Sequence, residues 1–385
     1  DTDKFTTSFS PVESGRLRGE YSRAGRAPNM SELFATPSGS SQFASAPIDP
    51  CRNDPTLVAT TYGTAYNTAA NPNRAQLQTL CSNQINAWGG NNATNFHNDP
   101  DNFNIAGGAA LIVGNPYLAN EEGDTWTFGV AFSRPTASIT GTVDWYRARI
   151  TNPIEVQQTG TIVSSCFNAN GLNPTYALDD ERGYCGLIER DPSTGAIVRV
   201  YNSFGNEGRL EISGVDTSLT WSTDVGRGIL SLTTNMNYLI DQIQRYGADL
   251  VDDYAGFGGA SKFRANTGLA YSWSNGRRLT LTWNYRDGTD TPTTFATTTT
   301  NPQQAPTLRP NPLMTGYEST SLFNLAGSTL IGQQVTLSLS ISNLFGEEPS
   351  PGGYDIRDPR YGFGTFSPFD DLVGRRYLFN VTMDF

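Results

Sequence analysis

The sequence predicts an all-β fold, an antiparallel transmembrane β-barrel, and three observations carry that expectation. The first is the final segment, Arg375 to Phe385, which alternates with period two. Tyr377, Phe379, Val381, Met383 and Phe385 share one parity and are apolar, whereas Arg376, Asn380, Thr382 and Asp384 share the other. Successive strand side chains point to opposite faces, so the segment has one apolar and one wet face. The second is that about ten or eleven such segments recur along the chain. The third is their spacing, in which short and long connections alternate strictly. A membrane barrel has brief turns at one end and extended loops at the other. A soluble sandwich gives no reason for that asymmetry.

The elements follow in order. A strand runs to about Phe9, turns through Pro11–Gly15 and returns as Arg16–Ala24. After a long polar stretch, Trp126, Phe128, Val130 and Phe132 share one parity up to a turn at Arg134-Pro135. Ala137, Ile139, Val143 and Trp145 then alternate with Ser138, Thr140, Thr142 and Asp144. Val215, Leu219 and Trp221 face one way, Asp216, Ser218 and Thr220 the other, with a turn near Asp224–Gly228. Leu210 and Ile212 are out of phase with Leu219, which predicts a bulge near Gly214. Leu230, Leu232, Met236 and Tyr238 form the next apolar row, and Phe263, Ala265, Leu269, Tyr271 and Trp273 another. Asn275-Gly276 is a hairpin signal leading into Leu279, Leu281, Trp283 and Tyr285. Phe323 and Leu325 rise to a turn at Gly332-Gln333, and Val335, Leu337, Leu339 and Ile341 return. The whole of 1–385 reads as a single barrel portion, with long loops at about 25–121, 152–207, 242–259, 287–316 and 346–372.

Composition fits this reading. Only 37% of residues are hydrophobic and 16% charged, below the roughly 25% charge of an average soluble domain. No run of about 18 apolar residues predicts a membrane helix, which leaves strand spans untouched. A net charge of −11 argues against a nucleic-acid partner. Lys4 and Lys262 are the only lysines, so nearly all cations are arginines, the better bidentate donors. Asp1-Thr2-Asp3-Lys4 carries no signal peptide, so the chain reads as a mature or trimmed product.

Cys51, Cys81, Cys166 and Cys185 include no C-x-x-C pair, and His97 is the single histidine, which disfavours a zinc site. Cys51–Cys81 and Cys166–Cys185 are sequence-local pairs that would staple loops in an oxidising compartment, although the other pairings remain open from sequence. Nothing supports catalysis. There is no His-based pair and no G-x-S-x-G elbow, and the adjacent carboxylates Glu121/Glu122 and Asp252/Asp253 would face opposite ways on a strand. No enzyme activity, cofactor or metal is expected. In the long loops Trp88, Phe96, Phe103, Tyr117, Tyr254 and Phe257 offer surfaces on which a ligand could stack or on which loops could pack. His97, Asp99 and Asp101 are oxygen- and nitrogen-bearing neighbours without the full calcium-loop pattern.

Several of these segments resemble the TonB-dependent outer-membrane receptors. Tyr21-Ser22-Arg23-Ala24-Gly25-Arg26-Ala27-Pro28-Asn29-Met30-Ser31-Glu32-Leu33-Phe34 is similar to their Y-S-x-x-F-R-A-P-x-x-x-E-L-F, with Gly25 where the family has an aromatic. Asn115-Pro116-Tyr117-Leu118 with Glu121, Glu122, Thr125, Trp126, Phe128 and Gly129 resembles their N-P-x-L strand entry. Gly214-Val215-Asp216, Ile341-Ser342-Asn343-Leu344-Phe345 and the terminal Phe385 follow in family order. Cys166, Tyr184-Cys185 and Arg190-Asp191-Pro192 resemble the proteobacterial branch.

The resemblance implies a barrel of 22 strands enclosing an N-terminal plug, of which this chain would be the C-terminal portion. It implies a bacterial outer-membrane location and energised import of a scarce nutrient, a ferric siderophore first, with saccharides and cobalamin as other classes. The partners it implies are membrane lipid and lipopolysaccharide, the receptor's own plug domain, the TonB energy-coupling complex, the barrel assembly machinery and a small-molecule ligand. Candidate ligand contacts are Trp88, Phe96, His97, Asp99, Asp101, Tyr117 and Tyr254. Arg26 and Glu32 would face the plug, and Tyr377, Phe379 and Phe385 would form the assembly signal. Two other readings are a self-contained passive pore or adhesin, and a soluble secreted β-sandwich binding carbohydrate.

Overall fold

The computed structural model describes residues 2–42, 49–51, 67, 69, 71–89, 109–179, 183–206, 208–246, 250–257, 260–289, 317–332, 334–349 and 371–383. In chain order the elements begin with β1 (Thr2–Val12), β2 (Gly15–Arg26), the short helix α1 (Met30–Phe34), β3 (Ser38–Gln42), α2 (Arg74–Ala87) and β4 (Ala109–Val113). Next come β5 (Glu121–Arg134), β6 (Ile139–Thr151), β7 (Ile154–Val156), α3 (Thr159–Cys166), β8 (Ile188–Arg190) and β9 (Ile197–Asn206). The last are β10 (Arg209–Val225), β11 (Gly228–Tyr246), β12 (Leu250–Asp253), β13 (Phe263–Trp273), β14 (Arg278–Arg286), β15 (Thr320–Ile331), β16 (Val335–Ser342) and β17 (Arg376–Met383). These elements fall into two compact units, one of residues 1–25, 122–151 and 208–385, the other of 26–121 and 152–207.

The first unit is one sheet in the order β1-β2-β5-β6-β10-β11-β13-β14-β15-β16-β17, with β12 pairing β11 off that path. Its hairpins close tightly at one end. Val12 pairs Gly15, and Val225 pairs Gly228 around Gly226. Gly226, Gly276 and Gly332 hold φ of 59°, 79° and 64°, where a Cβ would be strained. The turn after β5 is a 3-10 turn over Pro135–Ala137, closed by Ser138 in the left-handed region. Ala137 therefore belongs to the turn, not to the strand that the alternation suggested, because the proline sets a helical φ at the turn's first residue. The bulge expected near Gly214 is present. Ser213 pairs Asp241 while Gly214 pairs Leu239, so the extra residue is Ile240 on the partner strand.

The alternation is expressed as two chemically different faces. On one, Phe128 stacks on its cross-strand partner Trp145 with ring centroids 5.9 Å apart, and Trp283 on Phe323 at 6.3 Å. On the other, Arg18 Nε donates to Asp144 Oδ1 at 2.7 Å. Gly129 pairs Asp144, and a Cβ there would occupy the space of the carboxylate. The apolar face is exposed: Phe5 is 67% and Phe379 63% accessible. Every member of the buried hydrophobic cluster lies instead in the second unit. A sheet that leaves its aromatic rows exposed, while the buried hydrophobic cluster among the described residues lies in the other unit, has the polarity of a membrane wall.

The second unit is built from the stretches that read as loops. Its sheet runs β3-β4-β9-β7 with β8 on β9, and β4 lies parallel to β9. Apart from β9, its strands have three to five residues, and with a helix studded with Gln, Asn and Thr they give too little periodicity to be read from sequence. Disulfides join Cys51 to Cys81 and Cys166 to Cys185, closing separations of 30 and 19 residues. Between them Arg190 is fully buried. It donates to Asp49 Oδ2 at 2.6 Å, Gln84 Oε1 at 2.7 Å and the Gly195 carbonyl at 2.8 Å, and its guanidinium lies over the Phe167 ring. Gln84 Nε2 in turn donates to the Cys185 carbonyl at 3.1 Å. A buried guanidinium is tolerated only when its donors are met, and here they are met from segments far apart in sequence.

Removing one partner of that pair leaves the other charge buried. Asp49→Ala is expected to destabilise the second unit by about 3–5 kcal/mol, while Asp49→Leu with Arg190→Met costs less. Limited proteolysis with mass mapping of 26–121 and 152–207 separates the two outcomes.

Candidate functional site

Two sets of polar side chains stand out, one in each unit. In the second unit, β2 ends at Arg26 and the chain turns through Pro28 into α1. Asn29 caps that helix: its Oδ1 accepts from the Glu32 amide at 2.9 Å, and Glu32 Oε2 accepts from the Asn29 amide at 2.7 Å. This reciprocal box follows from Asn at the cap and Glu three residues later. It also fixes the Glu32 carboxylate, which Arg26 Nη1 reaches at 3.0 Å. Arg26 Nε donates at 2.6 Å to Glu121, whose other oxygen accepts from the Ile154 amide at 2.6 Å. One guanidinium thus ties the end of β2, the cap of α1 and the start of β5.

The N-P-x-L segment completes the arrangement. The Asn115 amide donates to the Glu32 carbonyl at 2.8 Å, and Asn115 Nδ2 to the Phe204 carbonyl at 2.9 Å. The Gly114 amide donates to the Ala35 carbonyl, and a Cβ on Gly114 would meet the backbone of Leu33–Ala35. The Arg26 guanidinium, with the Asn29 amide adding to it, holds the Glu32 carboxyl below the usual carboxylate range. Sequence reasoning found Arg26 and Glu32 and missed Glu121 as their partner, because a salt bridge across 95 residues leaves no local pattern.

In the first unit, the polar face opposite the aromatic rows holds a cavity of about 440 Å³ lined by Asp216, Asn235, Asn237, Arg264, Asn266 and Asn284. Asn237 Nδ2 donates to Asp216 Oδ1 at 2.7 Å and to the Tyr146 hydroxyl at 3.1 Å, and Asn266 bonds Asn284 across the strand pair. These residues appear in the sequence only as the polar parity of strands.

The loop candidates are dispersed. Trp88 donates from Nε1 to the Ile188 carbonyl at 2.9 Å and is an anchored, partly exposed ring. Tyr117 is 92% exposed. Tyr254 is half-buried beyond β12, its amide donating to the Gln242 carbonyl. Phe96, His97, Asp99, Asp101, Phe103 and Phe385 lie outside the described residues. Among the described residues no group of three or more His, Cys, Asp or Glu is placed to hold a metal ion. Tyr377 and Phe379 sit in β17, on the outward face and exposed.

A model of the TonB dependent receptor-like β-barrel matches residues 3–344. The chain belongs to the TonB-dependent receptor family. Among solved structures, this TonB-dependent receptor chain is similar to a mutant of the ferric enterobactin receptor of Pseudomonas aeruginosa. That match has 12% identity and a TM-score of 0.56, covering 100% of this chain and 40% of that one. It is also similar to the siderophore receptor of Acinetobacter baumannii, with 12% identity and a TM-score of 0.51, over 100% of this chain and 41% of that one. At such identity the likeness shows the fold, and the chain spans about 40% of the receptors it matches. A comparison with curated proteins gives no match. The family match is to a barrel and leaves no support for the secreted sandwich.

The lowered Glu32 pKa sets a pH dependence. A carboxyl whose folded pKa lies below its unfolded value contributes stability above the unfolded value, near 4.3, and loses it as pH falls through the folded one. Thermal melts of the wild type and Glu32→Gln should therefore differ at pH 7 and converge in acid. Asn29→Ala, which removes the cap itself, is expected to cost about 1 kcal/mol at either pH.

Proposed function

We propose that this chain is the barrel portion of an outer-membrane receptor that imports a scarce nutrient with energy delivered through TonB. Its best-supported substrate class is a ferric siderophore. The observation that carries the reading is the family match over 3–344, on a sheet whose aromatic rows face outward and whose Asn, Asp and Arg row faces the other way. The siderophore class is supported by the names of the matched structures, one of them the Pseudomonas receptor in complex with enterobactin.

The sheet path ends in β1 and β17, which are not paired to each other among the described residues. In hydrocarbon such edges leave N–H and C=O groups unmet, so further strands of the same receptor close the wall, and its own plug domain fills the lumen. Trp88, Phe96, His97, Asp99, Asp101, Tyr117 and Tyr254 form the reserve of ligand-contacting side chains. Arg26 and Glu32 face the plug end. The assembly machinery reads Tyr377, Phe379 and Phe385, and lipopolysaccharide surrounds the outer wall.

The test is uptake of radiolabelled ferric enterobactin and ferric dihydroxamates by iron-starved cells carrying or lacking the intact receptor, with the receptor located by outer-membrane fractionation. Import is expected for one chelate class and should vanish without TonB. Flux that persists unchanged without TonB would replace this reading with a passive pore. Trp88→Ala and Tyr254→Ala should weaken chelate binding about tenfold each if their rings stack on it, since lost stacking and packing of about 1.5 kcal/mol corresponds to that factor.

A further inference from the structure

The import reading leaves a cluster of arginines on the outward face of the first unit unexplained. Trp145 lies on the aromatic face, stacked on Phe128. β6 pairs β5 and β10 without a register shift, so Arg147 and Arg149 share the face of Trp145. In β10, Ser213 and Glu211 pair with Arg147 and Arg149, so they share it too. On β11, Arg245 pairs Arg209 above the Ile240 bulge and joins the same face.

The level on the wall follows from length. β10 has 17 residues, and about 9–11 tilted residues cross a bilayer. Counted from the tight turn at Gly226, Val215–Val225 supplies the span and Arg209–Gly214 stands beyond it. Val215 pairs Trp145 on one side and Tyr238 on the other, an aromatic row suited to the membrane interface. The arginines therefore sit two to six residue pairs past that row.

Their own acids do not satisfy them. Glu211 takes Arg147 Nη2 at 2.6 Å, while Arg209 Nε and Arg149 Nε stand 3.6 and 4.0 Å from its other oxygen. Arg149, Arg209 and Arg245 each bury an Nε without a hydrogen-bond partner among the described residues, and so does Glu211 its Oε2. The other carboxylates on this face are engaged elsewhere. Asp241 accepts the Ser213 hydroxyl, Asp124, the cross-strand partner of Arg149, accepts the Tyr21 hydroxyl, Glu122 pairs Arg23, and Asp253 accepts the Gln242 and Ala255 amides. Three guanidiniums, each with five N–H donors, thus surround one carboxylate, and Arg245 stands beside Arg209 as a fourth. In a chain of net charge −11 that is a local excess of donors for an anion.

We propose that Arg147, Arg149, Arg209 and Arg245 form a site on the outer wall for a phosphate group of the outer-leaflet lipid. A phosphate presents several acceptor oxygens in the geometry that guanidinium forks match, and headgroup phosphates lie just beyond the interfacial aromatics. The site rests on the outer-membrane placement of the barrel, but it is independent of which nutrient is imported.

The test is native mass spectrometry of the intact receptor, purified from outer membranes and titrated with a diphosphorylated lipid A-type glycolipid, with its dephosphorylated form and with inorganic phosphate. The diphosphorylated glycolipid should bind and the dephosphorylated one should not. Arg149→Gln with Arg245→Gln leaves the Arg147–Glu211 bond in place, so the receptor should keep its heat-modifiable electrophoretic mobility and lose about tenfold in glycolipid affinity. The matching pair of Lys substitutions should fall between.

Equal binding of the two glycolipids by the wild type would overturn the proposal, and that comparison needs no variant to fold. Displacement of the glycolipid by inorganic phosphate at equal concentration would also overturn it, by making the site one for a free anion. Each of those results leaves the import reading standing, because membrane location and uptake are measured separately.

Discussion

The constraint on which the rest depends is that hydrocarbon offers no hydrogen bonds to a polypeptide. A wall that crosses it must pair its backbone laterally and turn its apolar side chains outward. The eleven strands along the main sheet path obey this by inverting the usual polarity. Phe5, Phe128 and Phe379 are exposed, whereas on the opposite face Arg18 bonds Asp144 and Asn237 bonds Asp216. Gly129 shows how closely the faces are specified. The position opposite Asp144 must lack a side chain so that the Arg18 bridge can form.

That inversion puts the buried apolar cluster in the other unit. The second unit has to supply its own core, and it does so with few apolar residues. Leu77, Leu80, Ile162, Phe167, Ile188 and Val200 are buried around two disulfides and one arginine. Crosslinks of this kind substitute for core volume in small units of secreted and surface proteins, mainly by restricting the unfolded chain. Arg190 adds specificity, since its donors reach Asp49, Gln84 and Gly195 together only in one arrangement of those segments.

What was legible in the sequence follows the same division. Strands of eight to nineteen residues with one membrane-facing side write their period into the chain. Hence the hairpin turns, the out-of-phase step near Gly214 and the apolar rows could be read without coordinates. The second unit was not legible because its strands are three to ten residues long and its core is drawn from segments more than a hundred residues apart, such as Gln84 and Arg190. The candidate site was half legible. Asn29 and Glu32 are local and form a recognisable cap, but Glu121 and Asn115 reach that cap from a different part of the chain.

The motif that carries the family resemblance most strongly therefore has a physical account that needs no ligand. Arg26 must bridge two carboxylates, Asn29 must cap, Glu32 must return the cap and answer Arg26, and Gly114 must admit the backbone of α1. Each residue type is demanded by a bond that turns a barrel strand into a folded connection and brings the chain back to begin β5. Helix caps and charge-assisted bonds at strand ends are worth enough to enforce that path. A role in coupling to a plug would be an added use of groups already held in place by folding. The arginines proposed as the anion site on the outer wall differ in this respect, because three guanidiniums stand around the single Glu211 carboxylate and leave Nε donors without a hydrogen-bond partner among the described residues.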